Sequence, residues 1–394
     1  MGTGRSDVDV VHVPPASGRS STVLRWIAVV LSLYLLISAV SVISRGFRSL
    51  GAQQAEQLFA FAENPLVGLA VGILATVLIQ SSTTTTAITV AAVGSGALDV
   101  TQAIPIILGA NVGTTVTCTF VALGFAGNAT EFRRALASST IHDFYNLLAL
   151  LIFFPLEVLF HPLERMSGVL TDSLYGVTTP DPGDFNVVRM ATRPLVNAVT
   201  SVTGLAGEGT TSAVLTIVVG VAMTFLAVRW LSHFLKALMV GRTRELLLRA
   251  VEGTPAKAIG VGAGVTIVTQ SSTVTNSVLV PFAGTGTVTP GQLYPVTVGA
   301  NLGTTLTALV AALAVNGPDA AVGLQAALVH VLYNLLALLV VFVNPVLRPL
   351  PLKLASGLAD LVAERRWLLA VYLVAVFVVV PSAIILLGAL GKLT

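Results

Sequence analysis

Long apolar runs separated by short polar connections dominate the chain, and they differ in what interrupts them. Trp26–Ile43 is an unbroken apolar run of a length that can cross a bilayer, which takes about 20 residues. Ser212–Trp230 and Trp367–Leu390 are runs of the same kind. Residues 64–98 are different: thirty-five residues without a charge, too long for one crossing, with Gln80-Ser-Ser-Thr-Thr-Thr-Thr86 in their middle. Two short apolar arms around a polar tip predict a re-entrant helical hairpin. Non-helical backbone at membrane depth is tolerated only where protein buries it or a wet cavity receives it. A second block, 254–288, carries Gln270-Ser-Ser-Thr-Val-Thr-Asn276 in the same place. Each hairpin is followed by a run containing Gly109-Ala-Asn-Val-Gly113 or Gly299-Ala-Asn-Leu-Gly303. These are expected to be broken spans, because glycine unwinds without a Cβ penalty. A last span in each half holds His142 with Tyr145-Asn-Leu-Leu-Ala-Leu-Leu151, or His330 with Tyr333-Asn-Leu-Leu-Ala-Leu-Leu339.

The polar residues of the two halves stay in register. An offset of 190 places Gln80 on Gln270, Pro65 on Pro255, Gly72 on Gly262, Gln102 on Gln292 and Pro105 on Pro295, and an offset of 188 places His142 on His330. Generic apolar similarity cannot align Gln, Asn, Pro and Gly in this way. The fold class expected is an all-α polytopic membrane protein of two inverted structural repeats. Each repeat has a re-entrant hairpin and a broken transmembrane helix, and an extra span closes the chain. The expected divisions are a cytoplasmic tail 1–21, a first repeat 22–160, an extracytoplasmic connecting loop 161–208 and a second repeat 209–345. A cytoplasmic loop 346–366 and a C-terminal transmembrane helix 367–394 follow. Three crossings per repeat is an odd number, so the repeats must be inverted. With the N-terminus inside, fifteen of the twenty-one Lys and Arg residues fall on inner segments, in keeping with the positive-inside bias. The C-terminus is then expected outside.

Composition narrows the class further. The chain is 55% hydrophobic and only 10% charged, against about 25% charged in soluble domains. Soluble folding is excluded, and the net charge of +3 offers no basic patch for nucleic acid. The lone Cys118 rules out a disulfide framework and a thiolate metal cluster. The first apolar run is longer than a signal-peptide core and lacks a clear cleavage site, so it is read as a retained span.

The polar clusters suggest chemistry. Inverted repeats with interrupted helices point to a secondary transporter whose site lies at the midplane between the halves. A helix starting in mid-membrane offers free N–H groups to an anion, and one ending there offers carbonyls to a small cation. No Arg or Lys falls within 64–98, 105–123, 259–288 or 293–315. An anion site there would therefore rely on N–H dipoles, hydroxyls and co-bound cations. The alternative is that the Ser and Thr hydroxyls only bond back to helix carbonyls. Asp143 is an ionisable group inside an expected span, hence a functional candidate by default. Its counterpart is Val331, which suits a single extra cation site. The competing role for Asp143 is an ion pair with Arg133, Arg134 or His142. For His142 and His330 the expected role is hydrogen bonding across helices.

The two QSS clusters, the two GAN-x-GT segments, Glu131-Phe-Arg-Arg-Ala135 and Ile141-His-Asp-Phe-Tyr-Asn146 resemble the type II sodium–phosphate cotransporter family over roughly residues 22–390. The resemblance implies sodium-driven transport of inorganic phosphate across the plasma membrane, with no catalytic step and no cofactor beyond sodium as the coupling ion. It implies phosphate binding at Gln80, Ser81, Ser82, Thr83, Gln270, Ser271, Ser272 and Thr273. It implies sodium binding at Thr85, Asn111, Thr114, Thr115, Asp143, Thr275, Asn301, Thr304 and Thr305. An aspartate at the His-Asp position implies electrogenic transport, and a homodimer in the lipid bilayer is a further expectation. Animal members differ in having a large cysteine-bearing outer loop and a cytoplasmic tail after the last span. Alternatives are another oxyanion or dicarboxylate, export rather than uptake, a passive channel and, remotely, an intramembrane serine hydrolase. No G-x-S-x-G elbow surrounds Ser81 or Ser271 to favour the hydrolase.

Overall fold

The computed structural model describes residues 19–178, 187–207, 209–239, 242–315 and 320–391. The N-terminal tail lies outside these bounds except for Arg19–Ser21, as do the last three residues. Among the described residues the protein is helical throughout. Helix α1 (Arg19–Leu50) is followed by α2 (Ala52–Phe59), and the chain bends by 110° between Gln57–Glu63 and the next helix. The first hairpin is α3 (Pro65–Ile79) and α4 (Ser82–Val93). Its arms of 15 and 12 residues reach only about 22 and 18 Å at 1.5 Å per residue, short of the roughly 30 Å hydrocarbon core. Then come α5 (Val100–Gly113), α6 (Val116–Leu123) and α7 (Ala129–Phe160).

The connecting segment 161–208, expected as a loop, contains α8 (Pro162–Thr178) and α9 (Val187–Gly204). The second half runs through α10 (Thr210–Met239), α11 (Arg242–Val251), α12 (Pro255–Thr269), α13 (Ser272–Gly284), α14 (Pro290–Leu313) and α15 (Ala320–Ala337). A π-helical turn, Leu338–Val343, extends α15. The connection 346–366, expected as a cytoplasmic loop, is also helical, as α16 (Pro349–Glu364). The C-terminal span is α17 (Trp367–Val374), a π-helical turn Ala375–Val379 and α18 (Val380–Gly391). Among the described residues seven helices are long and apolar enough to cross a membrane. These are three in each half and the C-terminal one, the number expected if neither hairpin crosses.

Equivalent positions in the halves do equivalent work. The outer helices α1 and α10 pack through a reciprocal notch: a methyl on Gly46 would sit 2.7 Å from Ile217, and one on Gly220 2.6 Å from Ile43. Gln102 and Gln292 complete capping boxes that open α5 and α14. Asn64 and Thr254 cap the hairpins' first helices, each followed by a proline at the first position.

The glycine-asparagine motifs correct the sequence expectation. Helix α14 runs unbroken through Gly299-Ala-Asn-Leu-Gly303. In the first half, the interruption lies at Thr114-Thr115, just past Gly113. The glycines serve close packing instead. A methyl on Gly109 would lie 2.2 Å from the Leu69 carbonyl, and one on Gly299 2.0 Å from the Ile259 carbonyl. Gly72 and Gly262 make the converse approach to Ile106 and Val296. Each hairpin's first arm is thus seated with its backbone against the helix that follows the hairpin.

Candidate functional site

Each hairpin tip is one residue in left-handed conformation followed by a helix cap. Gln80 has φ 59° and Gln270 φ 52°, an uncommon region for a side chain other than glycine. Ser81 and Ser271 then cap α4 and α13, accepting from the amides of Thr84 and Val274. The glutamine amides hold the turn. Gln80 donates to the Val77 carbonyl and accepts from Thr117 at 2.8 Å. Gln270 donates to Ile267 at 2.6 Å and accepts from Thr307. Deeper in, Thr76 donates to Thr85 at 3.0 Å, and Thr266 and Thr275 are hydrogen-bonded at 2.7 Å, tying the two arms of each hairpin together.

Both tips open onto one cavity of about 680 Å³, lined by Gln80, Ser81 and Thr84 from one half and Gln270 and Ser271 from the other. At this point α3 and α12 end and α4 and α13 begin. Helix α10 adds Arg229, Ser232 and His233 to the lining. The sequence reading did not include these three, since Arg229 lies outside the charge-free segments on which an anion site was expected. The available signal was a lone arginine at the end of an apolar span.

The other expected site residues fall into distinct groups. Ser82, Thr83 and Ser272 are buried in the first turns of α4 and α13, just beyond the tips, and Thr273 is half-buried there. Asn111 and Asn301 each bond across to the other half in a reciprocal exchange. Asn301 donates to Asn146 at 2.6 Å and lies 2.5 Å from His142 Nε2. Asn111 donates to Asn334 at 3.1 Å and lies 3.5 Å from His330 Nε2. The expected cross-helix role of the histidines is therefore observed. The break-motif threonines bond locally: Thr114 to Ala110, Thr115 to Val112, Thr304 to Asn301 and Thr305 to Leu302, each through a backbone carbonyl. That pattern follows the back-bonding alternative, although each hydroxyl oxygen keeps an acceptor lone pair.

Asp143 is fully buried and accepts from Tyr372 on α17 at 3.1 Å. The ion-pair alternative fails for two of its three candidates, because Arg133 pairs with Asp360 and His142 with Asn301. Two further residues form a matched pair. Thr86 and Asn276, 190 positions apart, are both buried, and their side-chain polar atoms have no hydrogen-bond partner among the described residues. Buried polar groups without a partner are uncommon and call for a partner such as bound water or an ion.

A helical, multi-pass chain with two capped hairpin tips facing one polar cavity has the form of a membrane transporter rather than of an enzyme or a soluble binding module. The Na+/Pi-cotransporter family profile matches residues 35–167 and 223–346, and the chain belongs to that family. It is similar to Sodium-dependent phosphate transport protein 2B of Pongo abelii, at 30% identity over 91% of this chain and 64% of the relative. It is also similar to Sodium-dependent phosphate transport protein 2A of Oryctolagus cuniculus, at 32% identity over 92% of this chain and 67% of the relative. The 2A protein of Rattus norvegicus is 33% identical over 89% of this chain and 66% of the relative. The chain thus spans about two thirds of the length of these relatives. No solved structure matches it.

Proposed function

We propose that the protein is a sodium-coupled symporter of inorganic phosphate in the plasma membrane, working by alternating access between two inverted repeats. The observation that carries this reading is the single cavity shared by both hairpin tips and by Arg229. Phosphate is a bidentate acceptor that suits a guanidinium and oriented N–H groups. The capped tips supply those groups, and Arg229 supplies the positive charge. Sodium is assigned to the oxygen-rich positions behind the tips, including the hydroxyls of Thr85 and Thr275 and the Asn111 and Asn301 cluster. Asp143 carries an additional cation in this reading, which makes transport electrogenic. A cytoplasmic N-terminus, an outer C-terminus and a homodimer complete the proposal.

The test is labelled phosphate uptake into proteoliposomes under an imposed inward sodium gradient. Uptake should follow the sodium gradient and be inhibited by arsenate, but not by sulfate or succinate. Uptake indifferent to sodium would remove the coupling, and stronger inhibition by sulfate or succinate would reassign the substrate.

A further inference from the structure

The C-terminal span stands outside the repeat, so repeat logic assigns it no part in transport. It reaches the interior through the hydrogen bond from Tyr372 to Asp143 Oδ2, at 3.1 Å. We infer that Tyr372 is a positioning residue of the cation site at Asp143, so that the C-terminal span is a component of sodium coupling. The inference rests on the cation reading of Asp143 given above.

Three observations support it. First, the carboxyl is only half satisfied. Asp143 is fully buried, and its Oδ1 has no hydrogen-bond partner among the described residues. A buried carboxyl oxygen left without a partner suits a hard cation bound through oxygen.

Second, the tyrosine ring is held between a phenylalanine of α7 and one of its own span. Phe144 and Phe377 flank its ring, with centroids 6.0 and 6.1 Å away. Tyr372 and Phe377 are five positions apart, a spacing that places residues on different faces of an α-helix. The π-helical turn Ala375–Val379 widens the helix there and lets Phe377 pack edge-on against Tyr372. Third, the asymmetry matches. Val331 replaces the aspartate in the second half, and the chain supplies one C-terminal span, placed against the first half where α18 packs on α3. With Tyr372 donating to Oδ2, Oδ1 is the oxygen left for the ion.

The test compares wild type, Asp143→Asn and Tyr372→Phe in proteoliposomes, measuring phosphate flux and charge moved together. Phe keeps the ring contacts. Loss of one hydrogen bond to a charged group should raise the sodium concentration for half-maximal uptake about ten-fold in Y372F. Its phosphate KM at saturating sodium should stay unchanged. Asp143→Asn should reduce the charge moved per phosphate, and adding Y372F to it should change nothing further. If D143N leaves the charge per phosphate as in wild type, the cation reading of Asp143 fails, and this inference with it. If D143N acts as expected but Y372F keeps the wild-type sodium dependence, only the role of Tyr372 fails. A Y372F protein that cannot be purified folded also overturns it, since the hydroxyl would then be holding the fold.

Discussion

Replacing Gly299 by alanine puts a methyl 2.0 Å from the Ile259 carbonyl oxygen, and 2.8 and 2.9 Å from the Ile259 carbonyl carbon and Cα. All three are backbone atoms, so no side chain can rotate away. Restoring an ordinary contact of 3.4 Å requires α12 and α14 to separate by about 1.4 Å. The two helices are in register at further points. Gly262 faces the Val296 carbonyl and Gly303 the Ala263 carbonyl, so separation loosens the whole seam. Overpacking of this kind costs about 1–3 kcal/mol, and alanine's better helix propensity returns up to about 1 kcal/mol. The expected net loss is about 1–2 kcal/mol. Transport should also fall, because the hairpin tip at Gln270 is carried by α12. Gly260 lies on the same helix with nothing within 4 Å of its would-be methyl. Gly260→Ala should therefore stabilise the protein by up to about 1 kcal/mol. Thermal unfolding of the detergent-solubilised protein, with phosphate uptake on the same preparations, reads both. A Gly299→Ala protein as stable as wild type would refute the packing role. So would a Gly260→Ala protein destabilised alongside it.

Further outcomes are expected at the centre and in the cavity. Asn301→Ala leaves Asn146 and His142 without a shared partner and should cost about 1–2 kcal/mol of thermal stability, within the range for polar contacts between membrane helices. A double-mutant cycle with Asn146→Ala should show coupling, and strict additivity would dissolve the proposed exchange. Arg229→Gln should raise the phosphate KM about ten-fold at saturating sodium. An unchanged KM would return the anion site to hydroxyls and amides alone. Asn276→Leu should leave stability near wild type but lower transport, because the amide it removes bonds nothing among the described residues. A large destabilisation with wild-type kinetics would make Asn276 structural.

Much of this was legible in the sequence, for physical reasons. A polar heptad between two short apolar arms has few stable solutions in a bilayer, and the hairpins at Gln80 and Gln270 take the expected one. Repeat register brought Asn111 and Asn301 forward together because polar identities survive where apolar ones drift. Glycine is ambiguous: it permits unwinding and it permits contact, and only the carbonyl opposite Gly299 decides between them. Helices α8, α9 and α16 were hidden because amphipathic segments outside the apolar runs read as connections. Arg229 and Tyr372 were hidden for another reason. Each meets residues far away in sequence, Arg229 sharing a cavity with Ser81 and Tyr372 bonding Asp143, and no periodicity records such a meeting. The pairing of Thr86 with Asn276 could have been found, since both are polar at the repeat offset of 190.

The central claim is that both hairpin tips flank one phosphate site whose occupation requires sodium. Single cysteines at Ser81 and Ser271, in a protein whose buried Cys118 is replaced by alanine, report on it directly through their rates of labelling by a small thiol reagent. Phosphate should slow labelling at both positions in sodium medium, and at neither when potassium replaces sodium. Protection at one tip alone, or protection that ignores the cation, would contradict it.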